Sequence, residues 1–364
     1  IGEGEYVLKE LLDSQLDCSK VDGIWYKKRG KIIKNEPRQL ITNLDGLAIP
    51  DFDDFDVQKC LFIYNQHLPI MASRGCPYSC SYCNNHALRK TLKGTYVRFR
   101  SVENVIEEIA VRIKQYYDKG FRYFYFFDDT FILNKDYVLK FCKQFMEKGY
   151  HKLIRWNVNI RANLVTHDLM RAMKDAGCYQ VRMGVETGNQ HIRNTVYNRG
   201  MTDQEIFHAV DIIRKNHLQL RLYFMVGAPQ ETVEMMQESL KMADTLDADE
   251  VFFGLLYPLP GTDILKVCEN EHILEVKDEP SSFEIVPVKK TKYASSAQLH
   301  RFLRQVNRWQ MEHYITDGMK LRGPLFVVDC LRFLLLYKKQ YHFENDQLLR
   351  WNVQRYKLKL VWNG

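Results

Sequence analysis

The 364-residue sequence has no apolar run long enough to cross a bilayer. A spanning helix takes about 20 apolar residues. The longest such run near the C-terminus, Leu325 to Tyr337, is shorter than that and is broken by Asp329 and Arg332. No signal peptide is visible either. The expectation is a soluble, cytoplasmic protein with no transmembrane segment, although the amphipathic 325–337 segment would also suit a membrane surface. Repeats and low-complexity tracts are absent, which excludes solenoid and disordered architectures. A second closely spaced cysteine pair is missing too. Three of the nine cysteines lie within eight residues; Cys18, Cys60, Cys142, Cys178, Cys268 and Cys330 are scattered singly. That pattern excludes a disulfide framework and reads as buried free thiols in a reducing compartment. Excess charge is small: 52 basic against 45 acidic residues leave +7. Such a balance suits an anionic cofactor or substrate, but without a clustered basic patch it gives no reason to expect nucleic acid.

What the sequence does contain is ordinary globular material, 46% hydrophobic and 13% aromatic, with 21 Tyr and 20 Phe. That composition fits a large core or a wide pocket, in one large domain with appendages or in two domains. From about residue 69 to 270 short apolar runs alternate with longer amphipathic ones. The short runs are Pro69–Ser73, Phe121–Phe127, Leu153–Ile160, Tyr179–Val185, Leu220–Val226 and Val251–Tyr257, and their β-branched and aromatic character predicts buried parallel strands. Helices between them have legible ends. Ser101 can cap a helix that buries Val102, Val105, Ile106, Ile109 and Ile113 and stops at Gly120. Asn134 and Gly149 bracket the next, and Thr166 and Gly177 a third. Thr202 with Glu205 makes a capping box, and Thr232 opens a fifth helix. Glu231 and Thr232 read as plain caps.

Parallel strands joined by helices need right-handed crossovers, so the fold class is α/β, either an open doubly wound sheet or a partial barrel. Ligands sit at the strand C-termini in both, and each unusual polar motif of this chain falls at such an end. After about residue 280 the chain changes character. Ser295–Ile315 and Pro324–Tyr341 read as helices, and Arg350, Trp351, Arg355, Tyr356, Lys357, Lys359 and Trp362 read as a solvated face rather than a nucleic-acid surface.

Arg74-Gly-Cys76-Pro-Tyr-Ser-Cys80-Ser-Tyr-Cys83 directly follows the first strand. Thiolates at these spacings can wrap one metal centre from a single loop, which Gly75 and Pro77 help to curl. A structural zinc site needs four closed ligands; His86 is the one nearby candidate for the fourth. A cubane iron–sulfur cluster usually takes four cysteines, so three leave one iron open to a further ligand.

The Cys76-x-x-x-Cys80-x-x-Cys83 pattern, with Tyr82 before the last cysteine, resembles the radical S-adenosylmethionine (SAM) superfamily. The resemblance implies a partial (β/α)6 TIM-like barrel, a [4Fe-4S] cluster on Cys76, Cys80 and Cys83, and SAM chelated through the open iron. It also implies a reductant such as flavodoxin or ferredoxin and a small-molecule substrate. Asp128-Asp129-Thr-Phe131 at the second strand end could bind a metal, cap a turn or accept hydrogen bonds from an ammonium group; the resemblance assigns it the SAM amino group. Arg161 at the third strand end either pairs with the SAM carboxylate or covers the barrel mouth. Glu186, in Gly184-Val-Glu186-Thr-Gly188, needs hydrogen-bond donors if buried, and the resemblance makes the SAM ribose its partner. Gly227 would let the backbone approach the adenine closely. Thr187 and Gln230 stand where the family more often has Ser and Gly. The turn Tyr257–Thr262 also resembles the family and otherwise reads as rigid.

Gly2-Glu-Gly-Glu5 before an amphipathic helix, together with Val21–Tyr26, Lys27–Lys34 and Leu44–Pro50, resembles the end of a cobalamin-binding domain and its linker. With Asp128–Phe131 this points to the cobalamin-binding subgroup, many of whose members are methyltransferases. A whole cobalamin domain takes roughly a hundred residues, and no Asp-x-His-x-x-Gly pattern is found. The expectation is therefore a piece of a longer protein, or one without cobalamin. The domain reading is residues 1–60 as remnant and linker clasping the barrel, 61–275 as the barrel, and 276–364 as a mostly helical region.

Overall fold

The computed structural model describes the backbone of residues 1–63, 66–274 and 288–322, and the side chains of all of these except 62, 63 and 314–322. The sequence expectations for Leu325–Tyr337, Pro324–Tyr341, Cys330 and the basic stretch from Arg350 lie outside the described residues.

The strands are β1 (Trp25–Lys28), β2 (Lys31–Lys34), β3 (His67–Ile70), β4 (Ser73–Arg74), β5 (Arg98–Phe99), β6 (Tyr123–Phe126), β7 (Arg155–Ile160), β8 (Cys178–Glu186), β9 (Gln219–Val226) and β10 (Glu250–Leu255). The helices are α1 (Glu5–Asp13), α2 (Val57–Ile63), α3 (Asn84–Thr91), α4 (Val102–Tyr116), α5 (Lys135–Glu147), α6 (His167–Asp175), α7 (Asp203–Lys215), α8 (Val233–Leu246), α9 (Asp263–Asn270) and α10 (Ser296–Arg322). Six strands form one parallel sheet in the order β10-β9-β8-β7-β6-β3. Strand order follows chain order without reversal, so there is no switch point and the doubly wound alternative falls away. A monotonic series of right-handed crossovers puts the helices on one face, as in a partial TIM-like barrel.

The helix-covered face carries the core. Phe124, Phe126, Trp156, Val158, Val181, Met183, Leu222 and Phe224 are all nearly inaccessible there and pack with Val105, Ile109, Phe141, Met170, Ile206 and Met236 from the helices. Each such side chain contributes on the order of 1.5–3 kcal/mol through burial. The sequence-level caps work as expected in most cases. The side chains of Ser101, Asn134 and Thr232 accept from the amides of Asn104, Tyr137 and Met235, and Thr202 and Glu205 complete the capping box. Thr166 makes no cap bond; its hydroxyl donates to Asp168 at 2.6 Å instead.

The first strand differs from the expected Pro69–Ser73. It starts at His67 and stops at Ile70, and Ser73 begins β4, which pairs antiparallel with β5. Asp128 causes the break: it takes the Ala72 amide at 3.0 Å and the Ser73 hydroxyl at 2.5 Å, which draws the backbone off the sheet. Pro69 is tolerated because β3 is an edge strand, where a missing amide costs no ladder bond. The hairpin β1–β2 is present in the 1–60 segment. The helix expected at Ser295–Ile315 is α10.

Candidate active site

The cysteine loop leaves β4 through Gly75 (φ +87°), where a Cβ would stand 2.4 Å from the Tyr96 carbonyl oxygen. Only glycine fits such a position without displacing backbone. The loop is then fastened from several directions. Ser81 donates its amide to Tyr197 O (3.0 Å) and its hydroxyl to Val196 O (2.6 Å), while its own carbonyl accepts from Ile264 at the start of α9 (3.1 Å). Asn198 reaches Ser79 O at 2.9 Å, and Arg89 of α3 holds Pro77 O and the Ser79 hydroxyl. Asn85 joins Asp129 (2.7 Å) and Tyr96 (2.8 Å) beside Cys83. Cys76, Cys80 and Cys83 are free thiols, with Cys80 buried. Burial pushes the Cys76 and Cys83 thiols above the ordinary range, so thiolates here call for a bound cation.

Among the described residues no three His, Cys, Asp or Glu side chains converge as one metal ion would require. His86, the candidate fourth zinc ligand, turns its Nε2 onto Asp263 Oδ2 at 2.8 Å. That contact weighs against His86 as a fourth zinc ligand. A cluster is less demanding, because each thiolate meets a different iron.

The paired aspartates part company. Asp128 is 1% exposed and spends both oxygens on Ala72 and Ser73, with its carboxyl raised to about 6 by burial against those hydrogen bonds. Its side chain is a staple and not a free contact for an ammonium group. Asp129 is exposed and borders a cavity of about 770 Å3 together with Gly2–Glu5, Leu8, Gly75 and Phe127.

Arg161 is 4% exposed, stacks on the Tyr78 ring at 3.8 Å and lies 4.0 Å from Cys80 Sγ through Nη1. Its Nε is buried without a partner. The idle, buried donor suits an anionic ligand.

Glu186 ends β8 at a bulge, with φ +71°. Bulges re-aim side chains next to sites. Burial pushes its carboxyl up, and Arg199 and Tyr82 oppose that. Arg199 lies 3.2 Å from Glu186 and 2.5 Å from the Tyr82 hydroxyl, so the β8 strand end, the cysteine loop and a third segment meet at one cation. Arg199 carries no sequence signal of this role, because it lies in an irregular stretch after the short π-turn Ile192–Val196 with no periodic pattern. A carboxylate has room for further donors beyond Arg199.

Gly227 (φ +95°) is packed against Val288 on its Cβ side. A Cβ there would stand 2.4 Å from Val288 Cγ2. Glu231 is no cap. It is wholly buried and accepts the Gly227 amide at 2.6 Å and the Ala228 amide at 3.2 Å on Oε2, while burial lifts its carboxyl to about 8. The Tyr257–Thr262 segment is the expected turn, with Thr262 tied to Leu259 O at 2.6 Å.

The amino-terminal segment docks on the same region. Glu3 takes Arg74 Nη1 at 2.6 Å, Arg98 Nη1 at 2.8 Å and the Ile41 amide at 2.7 Å, and Arg74 also pairs with Glu5. Burial alone would raise the Glu3 carboxyl; Arg98, Arg74 and the Ile41 amide hold it below its usual range.

Residues 70–243 match the family model of the radical SAM superfamily. The chain is similar to an uncharacterized methyltransferase of Pyrococcus horikoshii, 32% identical over 84% of this chain and 65% of that protein. It is 27% identical to an anaerobic magnesium-protoporphyrin IX monomethyl ester cyclase of Rubrivivax gelatinosus, over 73% of this chain and 48% of that one. The chain thus spans about half to two thirds of the length of these relatives. Its fold is similar to that of the cobalamin-dependent SAM radical enzyme OxsB, solved with aqua-cobalamin and SAM bound, at a TM-score of 0.67 and 16% identity over 93% of this chain and 55% of that one. Among the described residues no helix is long and apolar enough to cross a membrane.

Proposed function

Because the chain carries a radical SAM domain over residues 70–243, we propose that it cleaves SAM reductively at a [4Fe-4S] cluster held by Cys76, Cys80 and Cys83, in a methyl transfer of the cobalamin-dependent kind. The observation that carries this reading is the cysteine loop itself: three free thiols in the loop that leaves β4, fastened by its neighbours and flanked by Arg161. The residues present fit the group, since the loop supplies sulfur donors and a guanidinium with an idle, buried Nε beside them. When bound, the cluster supplies the single electron that splits the SAM sulfonium to a 5′-deoxyadenosyl radical.

The chain's own part is binding and orientation. Arg161 is assigned the SAM carboxylate, as a guanidinium that can pair in a fork with two oxygens. Asp129 is assigned the amino group from the rim; Asp128 contributes by fixing the Ala72–Ser73 backbone from which the loop departs. Glu186, oriented by Arg199, is assigned the ribose hydroxyls, with Tyr82 packed below it. The Gly227–Ala228 backbone, held by Glu231, is assigned the adenine side. Residues 1–60 clasp the barrel through Glu3, as a linker from a cobalamin-binding domain would, and residues 61–275 form the barrel. The electron would come from flavodoxin or ferredoxin, and the acceptor of the methyl group is a small molecule.

A second reading, hydrogen abstraction with ring closure and without cobalamin, has its own support in the similarity to a cyclase. Anaerobic reconstitution tests the main proposal. Brown protein with about four irons per chain is expected, lost in Cys76→Ala, Cys80→Ala and Cys83→Ala. Dithionite with SAM should then release 5′-deoxyadenosine. A colourless protein holding one zinc sinks both readings. Corrinoid retained, after purification in added cobalamin, by a protein extended upstream of Ile1 favours methyl transfer; none retained by that longer protein favours ring closure.

A further inference from the structure

The third cysteine leads straight into a helix. Cys83 is the N-cap of α3, and Asn85 stands in the first turn. Side chains on a helix lean toward its N-terminus, and Asn85 leans back far enough to place Nδ2 3.7 Å from Cys83 Sγ. Sulfur is larger than oxygen, so hydrogen bonds to it run longer.

Two neighbours hold the amide in that orientation. Asn85 Nδ2 donates to Asp129 Oδ1 at 2.7 Å, and Asn85 Oδ1 accepts from the Tyr96 hydroxyl at 2.8 Å. An ionised carboxylate only accepts, so it faces the amino end of the amide. The carbonyl end then faces Tyr96, whose hydroxyl donates. The amino group carries two diverging hydrogens, one for Asp129 and one for the sulfur. Tyr96 is seated in turn against Gly75, where a Cβ would stand 2.8 Å from its Cδ1. Asn85 thus ties the cysteine loop to the end of β6 and to the approach to β5.

A donor aimed at a ligating sulfur has an electrical consequence. Reduction adds one negative charge to a cluster and its thiolates, and a hydrogen bond to the sulfur stabilises that charge more than the oxidised state. We propose that Asn85, oriented by Asp129 and Tyr96, is a positioning residue that donates to the Cys83 thiolate and makes the site easier to reduce. The inference rests on the proposed cluster at Cys76, Cys80 and Cys83. It deepens that reading by naming a group outside the three ligands that sets the reduction potential.

A redox titration of the reconstituted protein, followed by electron paramagnetic resonance without SAM, tests it. Iron is counted first. Asn85→Leu keeps the bulk and the neutral charge of the side chain and removes both donors. It and Asn85→Ala should hold about four irons per chain and shift the midpoint to more negative potential. Where half of the wild-type cluster is reduced, the ratio of reduced to oxidised cluster should fall by up to about tenfold, which is about 59 mV for one electron. Tyr96→Phe should shift the same way by less. Asn84→Ala, at an exposed neighbour, should not move the midpoint. An unchanged midpoint in Asn85→Leu, Asn85→Ala or Tyr96→Phe overturns the proposal, and so does an equal shift in Asn84→Ala. Loss of iron in all three of the first variants overturns it too, because Asn85 would then only support the loop. Wild-type protein without a cluster sinks the radical SAM reading and this inference with it, whereas a wild-type cluster with unshifted variants sinks this inference alone.

Discussion

Arg199 Nη1 lies 3.2 Å from Glu186 Oε1, and the two residues come from opposite sides of a π-turn and two loops. The pair is almost wholly buried, at 9% exposure each, and the same guanidinium holds the Tyr82 hydroxyl from the cysteine loop. Fixing one cation therefore orders a strand end and the loop at once.

Replacing Arg199 by Ala leaves Glu186 as an uncompensated buried charge, at a cost of about 3 kcal/mol or more near neutral pH. The Glu186 carboxyl already stands above its usual range in the folded protein. Without Arg199 it rises further, so folding then favours the protonated form and stability is lost as pH climbs above the unfolded value. The deficit against wild type should shrink as pH falls toward 4.5. Urea melts at several pH values measure this; a deficit independent of pH argues against the pairing.

Glu231 carries the opposite kind of signal, a pH dependence present in the wild type. Its folded carboxyl is raised to about 8 by burial, so between the unfolded value and that point the native state binds more protons. Stability contributed by the protonated form is present at low pH and is lost as pH rises toward 8. Glu231→Gln should flatten this slope, which amounts to about 2–4 kcal/mol across the window. Parallel melting curves for the two proteins from pH 5 to 8 would count against it.

Gly75→Ala tests the start of the cysteine loop. A methyl group would meet the Tyr96 carbonyl oxygen at 2.4 Å, at φ +87°. The strain, about 2 kcal/mol or more, falls on the loop and not on the sheet. The expected outcome is reduced iron incorporation with the far-ultraviolet circular dichroism retained.

Glu3→Ala removes the carboxylate that Arg74 and Arg98 share. Arg98 is 7% exposed and would be left without its partner, at about 2–4 kcal/mol. Because the clasp joins the amino-terminal segment to the barrel, limited proteolysis should release residues before β3 faster, while the barrel melts little earlier. Unchanged digestion would show that other contacts hold the segment.

Much of this was legible in the sequence. The strand runs were visible because a buried strand needs an unbroken apolar stretch, and the caps because Ser101, Asn134 and Thr232 have local partners three residues on. The cysteine loop was visible because three ligands for one centre must come close in the chain or close in space, and here they are close in the chain. The roles of Asp128 and Glu231 were not legible. An acidic residue at a strand end looks the same whether it faces a ligand or is turned back onto its own backbone.

By itself, then, the sequence determined the alternating architecture, the strand ends at which polar residues gather, and the cysteine spacing, all of which depend on neighbours within a few residues. Tertiary structure decided the rest. It separated Asp128 from Asp129, filled the space beside Gly227 with Val288, brought Arg199 to Glu186 and tied Glu3 to Arg74. Each depends on which distant charge or side chain the fold delivers to a buried position, and burial is what makes such partners decisive.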